Sequence, residues 1–250
     1  ASGTVAGAVA DAGSALTAVD FPNATSITAT ISNANDLTAV TLDSDVTDIN
    51  LNNVADVLLD INDLTSRTIT TNGGSYKVKD TATELAGADA SLLSGQTIII
   101  NDANTAATTT ELNTIQTSLA SNGAQGGGVT YTKLTGTATS LAANTADIIA
   151  GVAVTIDESG NNTPASTTEI NSLQTAVQNA GNGASLTYTK VRDGQQNLRA
   201  NTADLEGKTV IVTDTSNATQ FAAILTAATA NSASGTVAGA VADAGSALTA

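Results

Sequence analysis

Apolar residues recur along the chain with two spacings, and together they predict alternating strands and helices. Short β-branched runs that end in aspartate, such as TIIIND and TVIVTD, predict strands covered on both faces. After each run, apolar residues at i, i+3 and i+7 predict an amphipathic helix. The predicted stripes are Leu112, Ile115 and Leu119; Ile170, Leu173 and Val177; Val54, Val57 and Ile61; and Phe221, Ile224 and Ala228.

A second, shorter helix is predicted before each Asp-terminated run, and a second strand is predicted around the tyrosines in VTYTKL and LTYTKV. Capping boxes are predicted where a threonine or serine precedes a glutamate by three residues. These pairs are Thr81 with Glu84, Thr108 with Glu111, and Ser166 with Glu169. The apolar anchors of the short helix are Leu85 and Leu92, Leu141 and Ile148, and Leu198 and Leu205.

The order strand, helix, strand, helix repeats along the chain. Tyr76, Tyr131 and Tyr188 open three similar passages, and a weaker copy precedes them. This order predicts an α/β fold with a parallel sheet and right-handed crossovers. Units this small must stack on their neighbours, which favours a solenoid, and the alternative is a string of compact α/β beads. The predicted units are 19–75, 76–130, 131–187 and 188–250.

A longer period contains the short one. Residues 1–18 and residues 233–250 share the identical sequence ASGTVAGAVADAGSALTA, at an offset of 232 residues. The four short units together fill this offset. We therefore interpret residues 1–18 as the end of a preceding repeat, and we expect neighbouring copies of the same repeat as partners.

Composition narrows the functional classes. The net charge of −15 disfavours binding to nucleic acid or to an anionic membrane surface. The chain has no cysteine and no histidine, which excludes disulfides and zinc sites built on those residues within it. No uninterrupted apolar run is long enough to predict a membrane span. Without histidine or cysteine, and with carboxylates that recur as part of the scaffold, the sequence predicts a protein that is not an enzyme.

Carboxylates are the candidate site residues. Aspartates that end strands could bind Ca²⁺, which takes oxygen ligands, or could simply cap turns through the backbone. Residues 36–63 are rich in aspartate without a lysine or arginine, so calcium is the candidate cofactor there. No copy matches the known calcium loops. The candidate calcium ligands are Asp43, Asp45, Asp48, Asp102, Asp157 and Asp214.

The passages YKVKDTATEL, TADLEGKTVIVTDT and TTTELNTIQTSL resemble the repeats of giant secreted bacterial surface proteins. Similar proteins are the motility-associated surface proteins of marine cyanobacteria and the type I-secreted adhesins. The resemblance implies an extracellular location, and often calcium, but it assigns no residue a role. The expected function is a structural repeat of a surface filament, surface layer or adhesin stalk, with lateral self-association or surface glycans as further partners.

The alternative is an extracellular solenoid that binds or processes carbohydrate. The tyrosine rings bear on this choice. They could stack inside the array, or they could form a platform for sugar rings.

Overall fold

The computed structural model describes residues 4–9, 26–31, 36–39, 42, 44, 46–120, 128–160 and 162–242. Strands and helices alternate along them. The strands are β1 (Thr4–Val9), β2 (Ser26–Ile31), β3 (Asp48–Asn50), β4 (Val57–Leu59), β5 (Thr68–Thr70), β6 (Tyr76–Asp80), β7 (Ile98–Ile100), β8 (Ala107–Thr108), β9 (Val129–Thr130), β10 (Lys133–Gly136), β11 (Ala153–Ile156), β12 (Ser185–Thr187), β13 (Lys190–Asp193), β14 (Thr209–Val212) and β15 (Thr236–Ala238).

Among the described residues the α-helices are mostly short, and three of them exceed ten residues. They are α1 (Ile61–Ser66), α2 (Ala82–Gly87), α3 (Ala90–Leu93), α4 (Thr109–Ala120), α5 (Ala138–Ala143), α6 (Thr167–Ala180), α7 (Gln195–Ala200) and α8 (Ala218–Ala228). Four 3-10 helices accompany them, at Leu37–Ala39, Thr145–Asp147, Thr202–Asp204 and Ala230–Ser232.

The chain divides into two compact units, Ala1–Tyr131 and Thr132–Ala250. In the first unit, one sheet has the strand order β1-β2-β3-β5 and another has the order β4-β6-β7-β9. A core of aliphatic side chains lies between segments of both sheets. It contains Ile27, Ala29, Ile31, Leu37, Leu42, Val46, Ile49, Leu51, Val57 and Leu59.

In the second unit, β11 pairs with β10 and β12, and β14 pairs with β13 and β15. Within each unit, the strand ladders formed by the described residues are all parallel. The predicted α/β class with parallel strands is therefore confirmed. The four-unit division of the chain stays a prediction.

The three long helices bury most of the predicted apolar stripes, although Val177 and Phe221 are only half-buried. Leu112 and Ile115 are fully buried on α4, Leu173 on α6 and Ile224 on α8. Each long helix packs on the short helix that precedes it: α4 on α2, α6 on α5, and α8 on α7. The stripe predicted at Val54, Val57 and Ile61 is wrong. Val57 lies in strand β4, and only Ile61 is helical, because Asp60 caps the helix that begins there.

The predicted short helix is broken in each copy. In the second unit, α5 and α7 each end at an asparagine and are followed by a 3-10 helix. Ile148 and Leu205 therefore lie beyond these helices, although both are buried as expected of anchors. In the first unit the second anchor is wrong by one residue, because Leu93 rather than Leu92 is the buried residue of α3.

Two predictions about the strands are also corrected. The strand predicted across LTYTKV is interrupted at Tyr188, where the chain leaves β12 and enters β13 in a different sheet. The Asp-terminated strands are not covered on both faces, since Ala153 and Thr155 of β11 are exposed while the alternate residues are buried. Buried and exposed residues alternate along these strands, as in a sheet that has one face exposed to solvent.

Candidate functional site

The aspartate-rich segment acquires its counter-ions from the residues that follow it in sequence. Lys79 pairs with Asp36, and Lys77 pairs with Asp56 at 3.4 Å. The sequence suggested a segment without cations, because its own residues include none. In the folded chain the aspartates have cationic partners, because strand β6 pairs with β4 and places its lysines next to them.

The third ion pair is buried. On helix α1, Nη1 of Arg67 donates to Oδ1 of Asp63 at 2.8 Å, and its Nη2 reaches the carbonyl of Leu42 at 3.4 Å. Asp63 is only 5% exposed. Burial and the neighbouring charge of Asp60 raise the pKa of Asp63 to about 6, in spite of the opposing effect of Arg67.

Of the six candidate calcium ligands, Asp43 and Asp45 lie outside the described residues. Asp48 accepts a hydrogen bond from Oγ1 of Thr47 at 2.6 Å. Among the residues that the structure describes, no group of three or more carboxylates is close enough to hold a metal ion. Calcium at this segment stays a prediction.

The strand-end aspartates are not equivalent to one another. In the parallel register, Ile98, Val154 and Val210 occupy the same position of their strands, beside Val78, Leu134 and Val191. Counting four residues on from each gives Asp102, Glu158 and Asp214. Asp157 therefore lies one residue earlier than the other two aspartates. Asp157 directly follows its strand, whereas Asp102 and Asp214 lie two residues beyond theirs, so the three aspartates that the sequence pattern aligned are not equivalent.

The described strand-end aspartates have partners within the protein. Asp214 accepts a hydrogen bond from the backbone N–H of Gln195 at 2.7 Å, at the start of α7, whose N-cap Gly194 has no capping side chain. Asp157 accepts from the N–H of Ser159 at 3.0 Å, and the hydrogen bonds it receives lower its pKa. Asp102 is 6% exposed. The turn and capping interpretation fits Asp214 and Asp157 directly.

Sequence analysis missed a second set of carboxylates that cap helices. These carboxylates lie at the ends of strands β6 and β13. Asp193 accepts from the N–H of Thr167 at 3.1 Å and from its hydroxyl at 2.6 Å, at the start of α6. Asp80 accepts from the N–H of Ile61 at 3.1 Å, at the start of α1. The carboxylates thus compensate the free N–H groups at helix starts from a neighbouring strand. The sequence signal for these capping residues was an aspartate two residues after the buried valine of each strand.

Glu158 fixes the break at Tyr188. Its carboxylate accepts from the backbone N–H groups of Thr189 and Lys190, the latter at 2.7 Å. These are the first two residues after the tyrosine. A carboxylate on the loop after β11 therefore holds the backbone at the point where the chain changes sheets, which explains why the predicted continuous strand does not form.

The tyrosines in the second and third passages are buried. Tyr131 is 6% exposed and Tyr188 is 9% exposed, so neither ring presents a face to an external sugar. Tyr188 donates its hydroxyl to the carbonyl of Asp204 at 3.3 Å, and Nζ of Lys208 lies 4.5 Å from the ring centroid. Burial and the charge of Asp204 raise the pKa of Tyr188 to about 12. This ring is part of the internal packing.

A shallow polar groove lies on helix α6. Its volume is about 370 Å³. Its lining has hydroxyl and amide groups and neither a charged side chain nor an aromatic ring, and consists of Thr145, Asn171, Ser172, Thr175, Ala176 and Asn179. Amides and hydroxyls can hydrogen-bond a sugar, but the groove lacks the aromatic and large aliphatic side chains that line typical ligand pockets.

In the part of the chain that the structure describes, no helix is both long enough and apolar enough to cross a membrane. Comparison of the chain with protein-family models, with curated proteins and with solved structures finds no match.

Proposed function

We propose that the chain is a structural repeat of a long extracellular bacterial surface filament, surface layer or adhesin stalk. The observation that carries this proposal is the identical 18-residue sequence at an offset of 232 residues. The role of an array of such repeats is to extend the surface structure, to space its parts and to mediate attachment. The extracellular location rests on the resemblance to giant secreted surface proteins.

The same contact occurs inside two of the short copies, which supports a repetitive architecture. Thr83 donates to Glu111 at 2.7 Å, and Thr139 donates to Glu169 at the same distance. In both copies the glutamate also completes the capping box at the start of the long helix. The same residues therefore perform the same task one short period apart, as expected of copies of one repeated motif.

The strand ladders support stacking along the chain. Paired residues are separated by as little as 19 positions, as for Lys190 and Thr209, and by as much as 32, as for Ala153 and Ser185. Parallel pairing at such regular short intervals is the arrangement in which a solenoid adds one strand per turn of chain. We propose this solenoid as the form of the repeat, and right-handed crossovers within it.

The proposal does not include catalysis. Of the carboxylates that sequence analysis singled out, Asp157 is engaged in a turn and Asp214 at a helix start. The competing proposal is a carbohydrate-binding solenoid, and the groove on α6 is the observation that favours it. Titration with oligosaccharides, followed by chemical-shift changes at Asn171 and Asn179, separates the two functions.

The size of the native polypeptide tests the structural role. Peptide mapping of the purified protein, together with the sequence of its gene, should show many near-identical 232-residue repeats. A mature chain of about the size of a single repeat would contradict the proposal. Fibre diffraction tests the solenoid itself, because stacked strands give a strong axial spacing of about 4.8 Å. Separate globules joined by linkers would indicate a beaded stalk instead.

A further inference from the structure

The two copies of the 18-residue sequence form strands with different partners. In the first copy, Thr4–Val9 (β1) pairs with β2, and in the second copy Thr236–Ala238 (β15) pairs with β14. Among the described residues, each of these strands lies at the end of its sheet and pairs in its ladder on one side. One sequence therefore fits two different neighbouring strands.

The two pairings are compatible in register. Val237 lies beside Val210, and Val5, the same residue of the repeated sequence, lies beside Ile27. Val210 and Ile27 are both buried. A strand that had β14 on one side and β2 on the other would therefore match buried positions with buried positions. A shift of one residue would turn one of these sets to the solvent face.

The glycines of the sequence lie close against strand β14 and helix α8. A Cβ atom at Gly239 would lie 2.7 Å from Cβ of Val212, and one at Gly235 would lie 2.1 Å from the carbonyl oxygen of Ala228. Any larger residue at these positions would have to displace backbone or a buried valine. Residues 1–18 carry the same glycines at the same places, so they satisfy the same requirement. Gly7, the counterpart of Gly239, lies beside the buried Ala29 of β2.

We propose that consecutive repeats share the strand that begins at the fourth residue of the 18-residue segment, which is β1 in the first copy and β15 in the second. One of its edges pairs with β14 of one repeat, and the other edge pairs with β2 of the next repeat. The partner of the β14 edge is thus a second copy of this chain, joined head to tail, and the sheet runs on without interruption from one repeat to the next. This inference rests on the proposed function and specifies how its repeats are joined.

Within a single chain of 250 residues, the second copy of the segment already occupies β14. An intramolecular strand competes with a high effective concentration, so it excludes the equivalent strand of another molecule. If the second copy is expelled, the vacant edge accepts residues 1–18 of a second molecule while those residues stay paired with their own β2. Such a head-to-tail contact does not close on itself and produces open chains.

The test uses the full chain with Gly239→Val, which expels the second copy from β14. Light scattering after size-exclusion chromatography should show a monomer for the unchanged chain and concentration-dependent oligomers for Gly239→Val. The double variant Gly7→Val/Gly239→Val should be monomeric, because neither copy then fits. Adding the synthetic peptide ASGTVAGAVADAGSALTA should convert the Gly239→Val oligomers into one-to-one complexes. Oligomers that the peptide leaves intact, or a folded Gly239→Val monomer that binds no peptide, would overturn the shared strand.

Cross-linking tests the register of the shared strand. The chain has no cysteine. In the shared strand, Thr4 of one molecule lies beside Thr209 of another, within the Cα separation that a disulfide spans. Because the second copy occupies β14 in the unchanged chain, the test starts from Gly239→Val. The variant Gly239→Val/Thr4→Cys/Thr209→Cys, refolded at high concentration and oxidised, should give a ladder of covalent oligomers. Gly239→Val/Thr4→Cys/Lys190→Cys is the control, because β13 lies one strand further away. Equal ladders from both variants would contradict the proposed register.

The outcomes separate this inference from the function on which it rests. If the native polypeptide contains tandem repeats but Gly239→Val stays monomeric, the array is beaded and the structural role stands. If the native polypeptide holds a single repeat, the proposed function fails whatever the cross-linking shows.

Discussion

The hydroxyl of Thr139 donates to Oε1 of Glu169 at 2.7 Å, across a separation of 30 residues. The other carboxylate oxygen, Oε2, accepts from the N–H and the hydroxyl of Ser166 in the capping box. One glutamate thus starts the long helix α6 and binds it to the short helix α5. These hydrogen bonds lower the pKa of Glu169, so the side chain is ionised at neutral pH.

We expect Thr139→Val to destabilise the second unit by about 1 kcal/mol, because it removes this interhelical hydrogen bond while nearly preserving the shape of the side chain. Urea unfolding measures the change. The matched control is Thr175→Val on α6, whose exposed hydroxyl donates only to the carbonyl of Asn171 in the same helix. Equal losses in the two variants would show that the interhelical bond has no special role.

The ion pair between Arg67 and Asp63 gives a sharper prediction. Arg67→Met should destabilise the first unit by about 3–5 kcal/mol, because it leaves a buried carboxylate without its partner. Lys77→Met is the control. Its partner Asp56 is 63% exposed, and such a pair contributes about 0–1 kcal/mol. Thermal unfolding of both variants at neutral pH decides, and similar shifts would contradict the assigned difference in burial.

The raised pKa of Asp63 predicts a pH dependence. In the folded chain this pKa is about 6, whereas an unfolded aspartate titrates near about 3.9. The folded state therefore binds the proton more tightly, and stability should rise as the pH falls from about 6 to about 4. The lowered pKa values of Glu169 and Asp193 act in the opposite direction, but their contribution is lost only at lower pH.

Replacing Asp63 with asparagine should flatten the stability profile between about pH 6 and pH 4. The measurement is the free energy of unfolding at a series of pH values and constant ionic strength. Asp157→Asn is the comparison, because the pKa of Asp157 is lowered and its titration falls below this window. If the Asp63→Asn profile keeps the full slope of the unchanged chain, another group is responsible.

Much of the secondary structure could be predicted because its signals are local. The stripe of Leu112, Ile115 and Leu119 and the capping box of Ser166 with Glu169 follow from helical spacing alone. What failed required knowledge of partners distant in sequence. The break at Tyr188 depends on the carboxylate of Glu158, which lies 30 residues earlier in the chain.

The candidate site was harder to predict than the helices. An aspartate at the end of each strand looked like one repeated ligand, yet the strand register places Asp157 one residue away from Asp102 and Asp214. Charge along the sequence was equally misleading. The segment that contains Asp36 and Asp56 lacks cations of its own, and the parallel return of β6 supplies Lys79 and Lys77. Register and long-range pairing are tertiary properties that composition does not encode.

Metal removal tests the calcium expectation. If calcium binds within residues 36–63, a chelator added at constant ionic strength should lower the melting temperature, because ligand binding stabilises only the folded state. Calcium-saturated chelator, which removes no calcium from the protein, serves as the control for ionic effects. An unchanged melting temperature, together with no bound metal in elemental analysis, would leave an acidic segment stabilised by its ion pairs with Arg67, Lys77 and Lys79.

The apolar stripe of the long helices supports the strongest prediction about stability. Leu173 lies on α6 at 0% exposure, and α6 packs on α5 and on strands β12 and β13. Leu173→Asp should cost several kcal/mol, because an unpaired carboxylate would enter an apolar layer. Leu225→Asp on α8 is the matched control, since Leu225 is 41% exposed and its replacement leaves the charge in water. Circular dichroism and urea unfolding should show a loss of the cooperative transition in the second unit for Leu173→Asp alone. Comparable stability of the two variants would mean that the stripe does not form the interface between these helices, and the packing on which the proposed stacking depends would be wrong.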